Sequence, residues 1–392
     1  MKRLYILFVF VLAGLTLQAQ EMKTLTWGGV ERQYYQYVPA SYTGETSVPL
    51  VLCLHGLGEG AMNFFNVTNF ASVAEQKGWI LVYPQALNFT INIPFAGSQD
   101  LGPCWNVGST VTISINMGGY PISFDVSVNP NVDDSGFLNA TLDQVENDFN
   151  IDADSVFVMG FSLGGLMSHR MAIEHGDRIN AIAAISGEIG NELTGLTPTG
   201  HVSVLQVHGT DDQMISYEGA NISYGGYGPF SVGLDAEETV NWWSVFNNCD
   251  LDPVIELYPD SQDDYMTFEM HSHLNGDNGS RVALLKVNGG EHNYYTSGSY
   301  DIDYTEEIVR FFINTLDVTS TPELTTETLN VHPNPANSFI TIDGSAPVSI
   351  IDLMGKTVLQ SQGKSHIDVS SLSEGVYFVK SGDAYSKLII SR

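Results

Sequence analysis

The sequence predicts an α/β fold with a doubly wound, mostly parallel sheet, followed by a small all-β, sandwich-like C-terminal module. Three observations carry this expectation. Continuously apolar runs alternate with helix-period segments over residues 21–317, the rhythm of strands covered on both faces by helices. A Thr/Ser/Pro/Glu-rich stretch at 318–328 breaks that rhythm and reads as a linker. Short alternating strands separated by Gly and Asn turns then fill 329–392.

Taken in order, Lys2 and Arg3 precede an apolar run over 4–17, and the small Ala19 follows. This is the pattern of a secretory signal peptide over 1–20, too short in its apolar part to span a bilayer. Residues 32–39 alternate like an antiparallel edge strand, and 49–55 are apolar throughout, as a buried strand should be. A helix is expected over 70–78 and a strand over 79–84. A helix over 136–149, a strand over 155–160 and a helix over 163–174 come next. Strands at 181–186 and 202–209, a helix at 235–248, a strand at 282–287 and a helix at 305–316 complete the domain. The Gly-, Asn- and Thr-rich segment 86–133 contains alternating pieces and has two readings, a β-hairpin insertion above the strand ends, where lids sit, or a plain surface excursion.

Charge narrows the function classes. Fifteen Lys and Arg against 45 Asp and Glu give a net charge of -30, which repels phosphate backbones and anionic lipid. Nucleic acid and membrane surfaces are therefore not expected as partners. No span is expected once the signal peptide is removed. Of three cysteines, Cys53 lies in an apolar run and reads as a core thiol. Cys104 and Cys249 lie near aromatic residues outside strand cores, and in an exported chain they are expected to pair as a disulfide.

Gly160-Phe161-Ser162-Leu163-Gly164 fits G-x-S-x-G, with a predicted strand before it and a predicted helix after it. That context is what a nucleophile elbow requires. Acyl transfer also needs a base, an acid to orient it, and donors for the oxyanion. His201, His208, His271, His273 and His292 follow Ser162 within 21–317. His292 sits in a Gly-Gly-Glu-His-Asn loop directly after a buried strand and is the expected base; His208, at a strand end, reads as structural. Asp211 and Asp212 both follow the strand that ends at 209, and spacing alone does not separate them. Asp212 is preferred as the acid. The backbone N–H groups of Leu163 and of Leu57, in His55-Gly56-Leu57-Gly58, are the expected oxyanion donors. His55 is read as a brace for that loop.

These blocks resemble the polyhydroxybutyrate depolymerase and feruloyl esterase-like branch of the α/β-hydrolases. The matching stretches are Pro49 to Gly56, Cys104-Trp105-Asn106, Asn150 to Asp152 leading into Gly160 to Gly165, His208 to Asp212, and Trp243 with Asn248-Cys249. The resemblance favours Asp212 over Asp211 and supports the Cys104–Cys249 pairing. It departs at Leu163, where the family often has Asn, and at Asn293-Tyr294-Tyr295, where it often has Trp-Pro. The tail is similar to the type IX secretion sorting domain of Bacteroidetes. Its carriers are Val331-His-Pro-Asn-Pro335, Ile351 to Lys356, Leu372 to Phe378 and the basic, apolar ending. That implies a Gram-negative cell, passage through the type IX machinery, and release or attachment at the surface.

The expected activity is a secreted serine carboxylic-ester hydrolase working without metal or organic cofactor. Trp105, Phe161, Tyr217 and Tyr294 are the expected substrate-binding residues. Feruloylated polysaccharide is the preferred substrate class, with acetylxylan and polyester as alternatives. A non-catalytic surface binding protein on a hydrolase scaffold is the rival from another class.

Overall fold

The computed structural model describes residues 20–93, 97–117, 120–219, 221–224, 227–262, 265–296, 298–319, 329, 331–342, 347–351, 357–361, 366–381 and 384–392. Residues 1–19 of the expected signal peptide and 320–328 of the expected linker lie outside these. The chain divides into two compact units, Met1–Thr319 and Ser320–Arg392.

The first unit opens with β1 (Glu21–Trp27), β2 (Val30–Tyr37), β3 (Val48–Leu54), α1 (Ala61–Thr68), α2 (Phe70–Lys77) and β4 (Ile80–Pro84). Two hairpins follow, β5 (Asn88–Ile93) with β6 (Gly97–Pro103) and β7 (Thr110–Met117) with β8 (Tyr120–Ser127). Then come α3 (Asp134–Asp148), β9 (Ile151–Phe161), α4 (Leu163–His175), β10 (Ala181–Ile185) and β11 (Ser203–Gly209). A small hairpin, β12 (Asn221–Tyr224) with β13 (Tyr227–Ser231), leads to α5 (Ala236–Phe246). The unit closes with β14 (Val254–Leu257), β15 (Thr267–His273), β16 (Val282–Asn288) and α6 (Tyr304–Thr319).

Ten strands form one sheet in the order β1-β2-β4-β3-β9-β10-β11-β16-β15-β14. The six from β4 to β16 run parallel, and antiparallel pairs finish both edges. The apolar run of β3 is explained by its two faces. Leu50, Leu52 and Leu54 join a core that includes residues of α3, α4 and α5, whereas Val51 and Cys53 join a second core with residues of α1, α2 and α6. Both faces are covered, so strict alternation is lost. A buried ion pair, Arg32 to Asp134 at 2.6 Å, ties β2 to the start of α3.

Several elements differ from expectation. α1, in a segment rich in Asn and Phe, is an additional helix before α2. The β14–β15 pair, for which no strand was expected, places His271 and His273 on β15. α6 runs past 317 to Thr319, because the chain meets no helix breaker before Pro322.

The second unit has a three-stranded sheet of β17 (Val331–His332), β18 (Phe339–Ile342) and β21 (His366–Asp368). A four-stranded sheet holds β19 (Val348–Ile351), β20 (Thr357–Ser361), β22 (Gly375–Ser381) and β23 (Ala384–Ile390). Ile340 and Ile342 from the first sheet share one core with Ile350, Val379 and Leu388 from the second, the arrangement of a small sandwich.

Candidate active site

Ser162 lies in the single-residue turn between β9 and α4, at φ 56° and ψ −123°. Non-glycine residues rarely adopt such backbone, and holding one there costs about 1–3 kcal/mol. The surroundings enforce it. The Ser162 N–H donates to the Ile185 carbonyl at 2.8 Å, and the Ser162 carbonyl accepts from Gly165 N–H at 2.8 Å. A Cβ at Gly160 would sit 2.1 Å from the Gly164 carbonyl oxygen, and one at Gly164 would sit 2.0 Å from the Leu54 carbonyl oxygen. The two glycines are therefore requirements of close backbone packing, which is why the pentapeptide has the form it has.

The loop after β3 stands against this turn. The position a Cβ would take on Gly56 is 3.3 Å from Ser162 Cβ, so the loop that holds Gly56-Leu57-Gly58 borders Ser162, and Leu163 opens α4. Gly58 N–H donates to the Pro103 carbonyl at 2.9 Å. His55 braces the loop from within. Its Nε2 accepts from Ala86 N–H at 3.1 Å, which leaves the proton on Nδ1 to donate to the Gly56 carbonyl at 2.8 Å. Burial pushes His55 down to about 4, so it is neutral at ordinary pH.

Asp212 follows β11, and His292 follows β16. The loops that carry them are joined backbone to backbone, Asp211 N–H to the Gly290 carbonyl and Thr210 N–H to the Val287 carbonyl, both at 2.9 Å. His292 Nδ1 lies 2.7 Å from Asp212 Oδ2. Asp212 Oδ1 accepts from Met214 N–H at 2.8 Å and Ile215 N–H at 2.9 Å. Burial pushes this carboxyl up, but the hydrogen bond and charge of His292, the Ile215 N–H and His208 outweigh it and hold it below the ordinary Asp value. An anionic Asp212 fixes the proton of a neutral His292 on Nδ1 and leaves Nε2 as the free base. Asp211 is exposed, and among the described residues its carboxyl meets only the adjacent Thr210 hydroxyl, at 3.4 Å.

The expected substrate-binding residues separate into two groups. Phe161 is half-buried, with its ring centroid 4.9 Å from that of His292. Trp105 is fully buried and donates Nε1–H to the His55 carbonyl at 2.9 Å. Tyr294 is 6% exposed, packs edge-on to Phe161 and shares a hydrogen bond with Thr305. Tyr217 is 8% exposed, its hydroxyl donating to Glu237 at 2.9 Å. In this conformation Trp105 and Tyr294 support the site rather than face a ligand.

The insertion proves to be two arms. The first, β5–β6, ends in Pro103 against the Gly58 loop. The second, β7–β8, is joined to the loop after β10, where Thr110 N–H donates to Asn191 Oδ1 at 3.0 Å and Asn191 Nδ2 donates back to the Thr110 carbonyl at 2.7 Å. Both roots meet loops at the carboxyl ends of the parallel strands, where ligands bind in open α/β sheets.

The expected disulfide is corrected: Cys53, Cys104 and Cys249 are all free and buried. Cys104 Sγ faces the Trp105 carbonyl at 3.7 Å, whereas Cys249 Sγ faces the Ser280 carbonyl at 3.9 Å and crowds Gly276. Each thiol has its own neighbours, and burial pushes both above the usual thiol value. Among the described residues no group of three or more His, Cys, Asp or Glu is placed to hold a metal ion.

Two networks lay outside the sequence reading. Trp243 Nε1–H donates to His169 Nδ1 at 3.1 Å, so His169 Nε2–H donates to Gln206 Oε1 at 2.9 Å, and Gln206 in turn donates to the Gly187 carbonyl at 3.2 Å. This locks α4 to α5 and β11 beneath the turn. Beside it, His208 and Glu188 are both fully buried, with Nδ1 and Oε1 2.7 Å apart. A Glu directly after an apolar strand in Ser186-Gly187-Glu188-Ile189 was the available signal.

Two stretches of the chain match known families. Residues 116–225, which include Ser162 and Asp212 but not His292, match the phospholipase/carboxylesterase family. Residues 330–391 match the secretion system C-terminal sorting domain. Among curated proteins, the chain is 24% identical over 251 residues to the putative esterase NocK of Nocardia uniformis subsp. tsuyamanensis, covering 63% of this chain and 65% of that one. It is 28% identical over 177 residues to feruloyl esterase B of Neurospora crassa, covering 45% and 51%. It is 27% identical over 154 residues to acetylxylan esterase A of Emericella nidulans, covering 39% and 41%. The chain thus spans between two fifths and two thirds of the length of these relatives. Sheet order, elbow and family match together identify an α/β-hydrolase fold, here followed by a sorting domain that implies secretion or cell-surface attachment.

Proposed function

We propose that this chain hydrolyses carboxylic esters through an acyl-enzyme on Ser162, outside the cell that makes it. The observation that carries the reading is the strained turn at Ser162 together with the 2.7 Å His292–Asp212 pair, in the chain order nucleophile, acid, base. His292 Nε2 takes the Ser162 Oγ proton as Oγ attacks the ester carbonyl. The N–H groups of Leu57 and Leu163 receive the oxyanion, each worth roughly 100–1,000-fold in rate. Collapse expels the alcohol, which leaves with the proton held on His292. Water then gives its proton to His292 and attacks the acyl group, and Ser162 is regenerated with release of the acid.

For substrate, an aromatic acyl ester on plant polysaccharide is the reading we favour. The name of a relative, feruloyl esterase B, supports it, as does the half-buried Phe161 ring beside His292. The acetylxylan esterase relative favours a smaller acyl group as the second reading. An N-terminal signal peptide and the type IX route supply the path of export.

Release of p-nitrophenol from p-nitrophenyl acetate tests the activity. Wild type is expected to turn over, and Ser162→Ala to lose about 10⁶-fold in kcat. An inactive wild type, or an equally active variant, would leave a binding protein on a hydrolase scaffold. Comparing methyl ferulate, acetylated xylan and polyhydroxybutyrate then ranks the substrates; preference for the polyester would reject the polysaccharide reading.

A further inference from the structure

Asp212 Oδ2 has two imidazoles on it. His292 Nδ1 approaches at 2.7 Å, and His208 Nε2 stands 3.6 Å away on a fully buried side chain. Both nitrogens of His208 have an oxygen close by. Nε2 donates to the Ile215 carbonyl at 2.9 Å, and Nδ1 lies 2.7 Å from the buried Glu188 Oε1. The second approach is not aligned as a hydrogen bond, but at that distance in a buried site an ionised Glu188 is stabilised by an imidazolium and not by a neutral ring. Among the described residues no hydrogen-bond donor from elsewhere reaches either oxygen of Glu188, so an anionic Glu188 in this interior depends on a charged His208.

The other polar groups around His208 leave that conclusion intact. Tyr217 meets its ring edge-on at 5.7 Å. Behind Tyr217, Lys286 of β16 lies over the phenol ring and 3.4 Å from Glu237 of α5, so those two charges offset each other near the surface. Burial pushes His208 down, but Glu188, its contact and the Ile215 carbonyl outweigh it and leave it above the ordinary histidine value.

We propose that Glu188 and His208 form a second, buried carboxylate–histidine pair whose positive end neutralises part of the Asp212 charge and so sets how basic His292 is. They are positioning residues; neither touches substrate. The idea rests on the esterase reading above and adds to it what tunes the base. The effect has a definite sign. With His208 charged, Asp212 holds a protonated His292 less tightly, so His292 sheds its proton at lower pH and the enzyme works further into the acid range. Glu188→Gln removes the reason for His208 to be charged. Asp212 then acts on His292 alone, and the acid limb of kcat/KM moves to higher pH.

The test is the pH profile of kcat/KM for p-nitrophenyl acetate in the full chain. Glu188→Gln is expected to shift the acid limb upward by about one pH unit, with the alkaline plateau within about threefold of wild type. Glu188→Asp, which keeps the charge, is expected to stay nearer the wild-type profile. A Glu188→Gln profile that overlays wild type, or moves to lower pH, overturns the proposal. Nitrogen NMR of the His208 ring in unsubstituted protein gives a readout independent of any variant's folding. Both ring nitrogens are expected to be protonated at pH 7, and a neutral ring with its proton on Nε2 alone overturns the proposal as well. A wild type without esterase activity would instead sink the functional reading, leaving the NMR result to judge the pair.

Discussion

The two halves of the site are built by different physics. The turn at Ser162 is a steric object. Neighbouring backbone occupies the space where side chains at 160 and 164 would go, and hydrogen bonds to the Ile185 carbonyl and from Gly165 N–H complete the clamp. The acid–base half is an electrostatic object. Asp212, His292 and Glu188 come from loops after three different strands, His208 from the end of β11, and all four are held by charge and hydrogen bonds with little exposure. A steric site fails by not folding, whereas an electrostatic one can keep its shape and lose its chemistry.

Breaking the first half is expected to have the largest effect. Gly164→Ala drives a methyl group to within 2.0 Å of a backbone oxygen of β3, so neither partner can step aside. A loss of about 4 kcal/mol or more, or failure to fold, is expected from chemical denaturation. A variant with wild-type stability would mean that the turn is looser than described. Asp212→Asn is the matching break in the second half. It keeps the shape but removes the charge that fixes the His292 tautomer, and kcat should fall about 10⁴-fold while the unfolding midpoint changes little. Comparable losses of stability in both variants would erase the distinction between the halves.

A smaller effect sharpens the comparison by separating the supports of the site from its chemistry. Burial pushes His55 and His169 down to about 4, so both are neutral in the folded protein. The unfolded chain takes up protons near 6.5, the ordinary histidine value. Their contribution is therefore complete above about 6.5 and drains away as pH falls toward about 4, at roughly 3 kcal/mol each in full. Melting temperatures measured between pH 7 and pH 4 should fall across that window, and His169→Gln should flatten the fall. A flat wild-type curve would show that neither ring is buried neutral.

The same contrast explains what could be read in the sequence. The parallel strands were legible because burial on both faces makes them apolar throughout, as at 49–55 and 155–160. The tight turn at Ser162 was legible because sterics leave a local signature in the glycines of one short stretch. Asp212 was separable from Asp211 only by resemblance, since the difference is which carboxylate turns inward, and a tertiary contact with His292 decides that. Trp105 and Tyr294 looked like ligand contacts because aromatic residues near a site suggest them, yet both are used to brace loops. The Cys104–Cys249 expectation failed because sequence context carries no information on which way two thiols point. Glu188 went unnoticed for the same reason: its role exists only once β10 and β11 lie side by side.

The most direct test of the account is covalent. A fluorophosphonate probe reacts with a serine oxygen that has a base behind it, forming an O–P bond and releasing fluoride. After digestion, mass spectrometry of the full chain is expected to find the phosphonyl group on the peptide containing Ser162, and to find it strongly reduced in His292→Ala. Labelling on another residue, or none in the folded wild type, would contradict the account.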